Sequence, residues 1–184
     1  PGEAKKVTVI PSSVALSVEE DYEFASEAED DFGNIWEPDD AVWEAKSEAG
    51  TVNEYGVFVA GTSAGTYNQA VTATVDSKKG YSKVEILPGD PSGIIIAPES
   101  PTVVAGQTLQ FIGQVTDDHG NEIDGFEVTF SCIVEIGTCT PQGLLIAGTS
   151  LGTKEDAVTA SSGALSSSTG VTVIAGEPAL IQVD

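Results

Sequence analysis

The sequence contains no arginine and no methionine, and it has a single histidine. Its 29 acidic residues outnumber its 7 lysines, so the formal net charge is −22 at pH 7. Nucleic acids and anionic lipid surfaces are bound through basic patches that replace counterions, and this composition argues against such a patch. We therefore expect no nucleic-acid partner and a solvated, self-repelling surface.

Long hydrophobic runs are missing as well. No apolar stretch approaches the roughly 18 residues that cross a bilayer, so we expect no membrane insertion in this segment. Because the chain has neither a secretory leader nor a methionine, we interpret it as a piece processed or cut from a longer protein.

Groups that could carry out catalysis are scarce. His119 lies in a predicted turn where the other half of the sequence has Phe32, and no serine has a histidine partner in a suitable place. Pairs of carboxylates are expected by chance in so acidic a chain, whereas an active site needs convergent groups in a pocket. The sequence therefore predicts that the protein is not an enzyme.

The sequence repeats itself without a gap at an offset of 87 residues. About 24 of the 87 aligned positions are identical, far above chance for an average composition, and DDFGN at 30–34 aligns with DDHGN at 117–121. The same offset aligns the tripeptides that begin at Pro1, Pro88 and Ala175. The predicted domains are residues 1–87 (repeat one), residues 88–174 (repeat two), and residues 175–184 as the first strand of a third repeat or an exchanged strand.

Each repeat consists of short segments that alternate between apolar and polar residues, separated by Gly, Pro, Asn and Asp. Phe24, Ser26 and Ala28 fall on one side of such a segment, and Glu23 and Glu27 fall on the other. This period of two is typical of a half-buried antiparallel strand. About seven such strands per repeat predict an all-β fold, namely two tandem immunoglobulin-like antiparallel β-sandwich domains in a linear array.

The pentads at 30–34 and 117–121 directly follow this strand. Aspartate side chains fold back onto backbone N–H groups, and Gly and Asn tolerate positive φ, so each pentad predicts a tight hairpin turn with a bulge at Gly33 or Gly120.

A large aromatic residue in the next strand is predicted to pin the core. Trp43 in repeat one would face Phe24, and Phe130 in repeat two would face Phe111.

Both repeats resemble bacterial Ig-like domains, the group that includes the repeats of invasin- and intimin-type adhesins. Repeat one carries the motif series of that group: an F-x-A-x-A-like strand, then D-x-x-G-N, V-x-W, G-T, G-x-F-x-A, A-G-T and V-T-A. The matching positions are Phe24, Asp30, Gly33, Asn34, Val42, Trp43, Gly50, Thr51, Gly56, Phe58, Ala60, Gly61 and 70–73. Repeat two departs by having Phe130 for Trp and Leu145 for Phe. The resemblance implies an Ig-like sandwich in an extracellular or cell-surface setting, where such repeats occur in adhesin stalks, surface layers, filaments and accessory regions of secreted enzymes.

Two cysteines, Cys132 and Cys139, are seven residues apart, which is not a zinc spacing. Their counterparts in repeat one are the small apolar residues Ala45 and Val52, which indicates a position in or near the core. We favour a disulfide in an extracellular protein, with two reduced core thiols as the alternative.

Calcium is the metal that this acidic chain is best suited to hold, because hard cations bind clustered carboxylates and carbonyls. The candidate ligands lie in the two pentads and in the tripeptides before each repeat: Asp30, Asp31, Asn34, Asp117, Asp118, Asn121, Glu3, Asp90 and Glu177. The alternative for the pentads is a self-capped turn without metal. No other cofactor is expected.

The predicted function is a non-catalytic structural module of a cell-surface or extracellular protein, such as an adhesin stalk, a surface layer or a filament. The linker PGDPSG at 88–93 is short and holds two prolines, so the module would act as a semi-rigid spacer or assembly unit. Its partners would be neighbouring repeats of the same chain or other subunits.

Two alternatives remain open. In the first, a strand-exchange filament forms when the C-terminal strand adds to a neighbour's sheet through Ala179, Leu180, Ile181 and Val183. In the second, an adhesive or carbohydrate-binding module takes a host or glycan ligand, for which Trp36 and Tyr55 are the aromatic candidates.

Most of the positive charge belongs to five lysines near the first and last strands of repeat one: Lys5, Lys6, Lys78, Lys79 and Lys83. They indicate either a solvated sheet edge that discourages strand addition or a basic patch that meets an acidic neighbour.

Overall fold

The chain forms two units, Pro1–Gly89 and Asp90–Asp184, each with its own hydrophobic core. The structure, a computed structural model, describes residues 2–177. In that part of the chain, strands are joined by turns and by one short 3-10 helix, Val134–Ile136. No helix among these residues is long and apolar enough to span a bilayer.

Residues 2–89 of unit 1 form ten strands. They are β1 (Lys6–Ile10), β2 (Ser13–Ser17), β3 (Asp21–Glu23), β4 (Ala25–Glu29), β5 (Ile35–Trp36), β6 (Val42–Ala45), β7 (Gly50–Val52), β8 (Val57–Ala60), β9 (Gly65–Val75) and β10 (Lys78–Leu87). One layer has the order β2-β10-β9-β6, and the other is built from β1-β4-β5 and β3-β8-β7. Because only Phe24 separates β3 from β4, these two three-stranded sheets share one continuous strand.

The first two strands of unit 1 belong to different layers. β1 pairs antiparallel with β4, whereas β2, which follows Pro11, pairs in parallel with the last strand β10. Proline lacks the N–H that a ladder needs, so a change of partner at this residue is physically reasonable. The strand order is that of an immunoglobulin-like sandwich.

Within its described residues, 90–177, unit 2 repeats this topology with nine strands. They are β11 (Gly93–Ala97), β12 (Thr102–Val104), β13 (Thr108–Gln110), β14 (Ile112–Thr116), β15 (Thr129–Cys132), β16 (Gly137–Cys139), β17 (Leu144–Ala147), β18 (Gly152–Ser162) and β19 (Leu165–Ile174). The layer β12-β19-β18-β15 faces β11-β14 together with β13-β17-β16. The predicted fold class of two tandem Ig-like sandwiches is confirmed.

The core of each unit lies between its two layers and follows the predicted alternation. In β4 and the residue before it, Phe24, Ser26 and Ala28 are buried. The inward-facing residues of the central strands are buried as well. In the two units these are Val71, Ala73, Val84, Ile86, Val158, Ala160, Val171 and Val173.

The aromatic pairs differ between the two cores. In unit 2 the rings of Phe111 and Phe130 have centroids 6.4 Å apart, as predicted. In unit 1 Phe24 meets Phe58 edge-on at 6.1 Å, and Trp43 is only half-buried. Trp43 packs against the same core as Phe24. Phe58 adds a second large ring to this core, at the position where repeat two has Leu145.

Gly56 is required at the place where Trp43 covers the core. Its φ is +82°, and a Cβ there would lie 2.6 Å from the Phe24 carbonyl oxygen and 3.0 Å from the indole. Gly143 has the same relation to the Phe111 carbonyl and the ring of Phe130. Only glycine combines this backbone conformation with so close an approach.

Candidate functional site

The carboxylate of Asp30 organises the hairpin turn between β4 and β5. Its Oδ1 accepts hydrogen bonds from the N–H groups of Phe32 (2.9 Å) and Asn34 (3.0 Å), and the Asn34 side-chain amide donates to both carboxylate oxygens. Gly33 completes the turn with φ +80°. The turn is thus capped by its own aspartate, as the metal-free alternative describes.

The same carboxylate also holds the segment that precedes β1. The Gly2 N–H donates to Asp30 Oδ2 at 3.0 Å. The Asn34 amide, followed by the Gly2 N–H, keeps the pKa of Asp30 well below its usual range, although burial works in the opposite direction. Asp30 is therefore a buried, ionised acceptor whose bonds all come from N–H groups.

Three further contacts fix this N-terminal segment to the sandwich of unit 1. The Ala4 N–H donates to Asp76 Oδ2 at 2.8 Å, and Ala4 itself is buried. The Lys5 ammonium lies 3.4 Å from the Asp31 carboxylate, and the Lys5 N–H donates to the Glu29 carbonyl at 2.7 Å. We call residues 2–5 the anchored segment, because these hydrogen bonds and this ion pair all join it to side chains or a carbonyl of the same sandwich.

The second pentad adopts the same turn. Asp117 is buried, and its Oδ1 accepts the N–H groups of His119 (3.0 Å) and Asn121 (2.8 Å), while the Asn121 amide donates to Oδ2 at 2.7 Å. His119 contributes its backbone to this cap, which agrees with a structural place for the histidine in the turn.

The remaining calcium candidates are dispersed. Asp31 pairs with Lys5, and Asp118, Glu3, Asp90 and Glu177 are exposed. Within residues 2–177 no three or more His, Cys, Asp or Glu side chains are arranged so as to hold a metal ion. Calcium binding at these positions stays a prediction, and the geometry that the structure does show is the self-capped turn.

Cys132 and Cys139 are joined by a disulfide in the structure. Cys132 ends β15, an edge strand of one layer of unit 2, and Cys139 ends β16, an edge strand of the other layer. Both residues are half-buried and pack against the core. The bridge therefore links the two layers along one open side of the sandwich, where repeat one has Ala45 and Val52.

The aromatic residues considered for a glycan site lie in different environments. Tyr55 is 73% exposed, whereas Trp36 is half-buried and packs against the core of unit 1. The assembly-strand candidates Ala179, Leu180, Ile181 and Val183 lie outside the described residues.

Two of the five lysines form ion pairs within repeat one, Lys5 with Asp31 and Lys79 with Glu44, each at 3.4 Å.

The anchored segment was not predicted from the sequence. Asp76 has Gly163 as its counterpart in repeat two, so the internal comparison gave no signal for it.

No protein-family model matches the chain, and no curated protein sequence matches it. Among solved structures, domains 4–9 of the surface layer protein SbsC are similar with a TM-score of 0.43 and 19% identity, over 96% of this chain and 31% of that one. The Escherichia coli adhesin FdeC gives a TM-score of 0.42 and 16% identity, over 92% of this chain and 63% of that one.

Mouse cadherin-23 gives a TM-score of 0.48 and 12% identity, over 93% of this chain and 65% of that one. The chain thus spans about a third of the SbsC fragment and under two thirds of the other two. The fold assignment rests on the strand order of each unit, which agrees with the sequence resemblance to bacterial Ig-like domains.

Proposed function

We propose that this chain is a non-catalytic structural module of a cell-surface or extracellular protein, in which Ig-like repeats act as semi-rigid spacers. The observation that carries the proposal is the anchored segment. The residues that lead into repeat one are bonded to Asp30, Asp76 and Asp31 of the sandwich that follows, so they belong to a folded unit and are not a free tether.

The sequence register extends this observation. The Pro-Gly-acid tripeptide at 1–3, which overlaps the anchored segment, recurs at 88–90, and a related Ala-Gly-Glu occurs at 175–177. A linker that is short and contains Pro91 in addition to Pro88 has few freely rotating bonds. Repeats joined in this way would transmit orientation along an array, which is what a stalk or surface lattice needs.

A surface setting is supported by three features. The net charge of −22 keeps such a module solvated, the disulfide between Cys132 and Cys139 suits an oxidising compartment, and the fold is similar to that of a surface layer protein and a bacterial adhesin. Labelling of intact cells of the source organism with antibodies against this chain tests the setting, and staining only after lysis would contradict it.

Spacer stiffness can be measured by the distance distribution between spin labels at Glu48 and Glu135, two exposed positions that correspond in the two repeats. The labels are attached through non-canonical amino acids so that the disulfide stays intact. We expect a narrow distribution for the parent chain and a broad one when residues 88–93 are replaced by Gly and Ser. Equal widths in the two chains would overturn the spacer role. Unfolding curves serve as the control, because each unit has its own core and both should stay folded.

A further inference from the structure

In one sheet of unit 2, the outward positions of four strands carry no charged side chain, although the chain as a whole is strongly acidic. This face, which we call the neutral face, is the solvent side of β11, β13, β14 and β17. Four aliphatic side chains cross it as a stripe, and their exposed fractions are 52% for Ile95, 66% for Ile112, 36% for Leu144 and 49% for Ile146.

The strand register shows that the stripe is continuous. Ile95 lies opposite Gln114 and Ile112 lies opposite Ala97, so the two isoleucines are diagonal neighbours. Leu144 lies opposite Gln110, two residues before Ile112 on the same side of the strand. Diagonal neighbours of this kind lie within reach of long side chains.

Repeat one supplies an internal comparison, because the same face there is acidic. Gln114, Gln110 and Thr108 of the neutral face correspond to Glu27, Glu23 and Asp21 at the offset of 87 residues. Thr8 and Ala25 stand where the neutral face has Ile95 and Ile112. The same scaffold position is therefore charged and less apolar in one copy and uncharged and more apolar in the other.

The polar groups beside the stripe are bound to the protein itself. The Gln110 amide donates to the carbonyls of Phe111 and Gln142, both at 2.7 Å, and the Gln114 amide donates to the Ile123 carbonyl at 2.8 Å. A polar group that already has its partner costs less to remove from water. The neutral face can therefore be covered without leaving these amide donors unsatisfied.

We propose that the neutral face is a self-association surface, and that its occupant is the neutral face of a second copy of this chain. The charge balance selects this partner. A contact elsewhere on a chain of net charge −22 tends to bring carboxylates together, whereas the outward positions of these four strands bring together none. Carboxylates only border the face, at Glu99, which lines a cleft with Ile95, and at Glu122, which lies opposite Thr116. A pair of identical faces meets around a two-fold axis, the commonest symmetry of soluble dimers.

The extent of the face sets the strength of the contact. The four strands hold 5, 3, 5 and 4 residues. At about 4.8 Å between strands and roughly 3.4 Å per residue, they cover on the order of 300 Å² in projection. Stable interfaces bury about 800 Å² on each partner, so one pair of neutral faces forms a weak dimer. Repeats held close together in an array would associate more strongly through their high effective concentration. This surface goes beyond the spacer role and does not depend on it.

Analytical ultracentrifugation of the 184-residue chain, from micromolar to millimolar concentration, tests the proposal. We expect a monomer–dimer equilibrium that added salt strengthens, because salt screens repulsion between the acidic surfaces. Ile112→Glu should weaken the dimer at least tenfold. The matched control is Ala25→Glu, at the corresponding exposed position of repeat one, and it should leave the equilibrium unchanged.

Isotope-filtered nuclear Overhauser spectra on a mixed labelled sample identify the contact. Intermolecular signals between methyl groups of Ile95, Ile112, Leu144 and Ile146 are the expected result. Deletion of residues 178–184 should leave the dimer intact, and its loss on deletion would overturn the proposal in favour of strand exchange. A chain that stays monomeric at every concentration, or a dimer that Ile112→Glu does not weaken, would also overturn it. The spin-label distances report separately on the spacer role.

Discussion

The Gly2 N–H donates a 3.0 Å hydrogen bond to Asp30 Oδ2, 28 residues further along the chain. The same carboxylate accepts the N–H groups of Phe32 and Asn34, which close the turn after β4. One buried side chain thus fixes both a hairpin and the segment that leads into the sandwich. Substitutions at this residue and around it give direct tests, and both tryptophans, Trp36 and Trp43, lie in repeat one, so their fluorescence reports on that repeat alone.

Asp30→Asn should destabilise repeat one. The substitution replaces one acceptor oxygen with an NH₂ group that faces existing N–H donors, so at least one donor loses its partner. We expect the thermal midpoint from tryptophan fluorescence to fall by several degrees, roughly the scale of one lost buried hydrogen bond in a domain of this size. The matched control is Asp31→Asn, because the Asp31 side chain is 80% exposed and pairs with Lys5, itself exposed. Equal effects of the two substitutions would contradict the role assigned to Asp30.

The stability of repeat one should depend on pH through Asp30. Its pKa is lowered in the folded state by the Asn34 amide and the Gly2 N–H, while an unfolded aspartate titrates near 3.9. The stabilisation is therefore fully present above about pH 4 and is lost as the pH falls towards the lower folded pKa. Denaturant titrations at neutral and strongly acidic pH should show that the parent chain and Asp30→Asn differ less in acid. If the difference in unfolding free energy between the two chains grew in acid, it would contradict a stabilising role for the ionised Asp30 carboxylate.

Gly56→Ala should be more damaging than Gly33→Ala. Both glycines have φ near +80°, so both substitutions carry the cost of about 1–2 kcal/mol for a left-handed residue. A Cβ at Gly56 would also meet the Phe24 carbonyl at 2.6 Å and Trp43 at 3.0 Å, whereas one at Gly33 meets nothing within 4 Å. Denaturant unfolding followed by tryptophan fluorescence should give a clearly larger loss for Gly56→Ala, and equal losses would contradict the packing argument.

Removal of the disulfide should destabilise repeat two without unfolding it. The double substitution Cys132→Ala and Cys139→Val reproduces the residues of repeat one, which folds without a bridge. The short loop predicts a loss of about 2–3 kcal/mol in the chain-entropy model. Hydrogen exchange of β15 and β18 measures the loss. Reductant should leave the tryptophan transition of repeat one unchanged, and a shift there would contradict the assignment.

The strands and the core were predictable because the two repeats show the same apolar and polar pattern at aligned positions. An inward position such as Phe24 or Val71 is apolar in both copies, and a period of two places its neighbours outside. The turns at Asp30 and Asp117 were predictable for the same reason, since the pentad carries its own capping side chain. These features depend on local sequence alone.

Features that depend on distant partners were not predictable in this way. The hydrogen bond from Ala4 to Asp76 spans 72 residues and occurs at a position that differs between the repeats. The edge-on contact between Phe24 and Phe58 was not predicted, because Trp43 and Phe58 are both large and the sequence does not state which of them meets Phe24. The neutral face appears only after the register aligns residues from three separate segments of the chain.

The parallel pairing of terminal strands has a mechanical consequence. β2 runs parallel to β10 in repeat one over the pairs from Lys83 with Ser13 to Leu87 with Ser17. Tension applied to the two ends of a repeat shears such strands past each other. The hydrogen bonds between the strands are then loaded at the same time and do not break one after another. Repeat two has the same arrangement with a shorter ladder, from Thr102 with Thr172 to Val104 with Ile174. In a stretched array, repeat two should therefore yield at the lower force and act as the first element to extend under load.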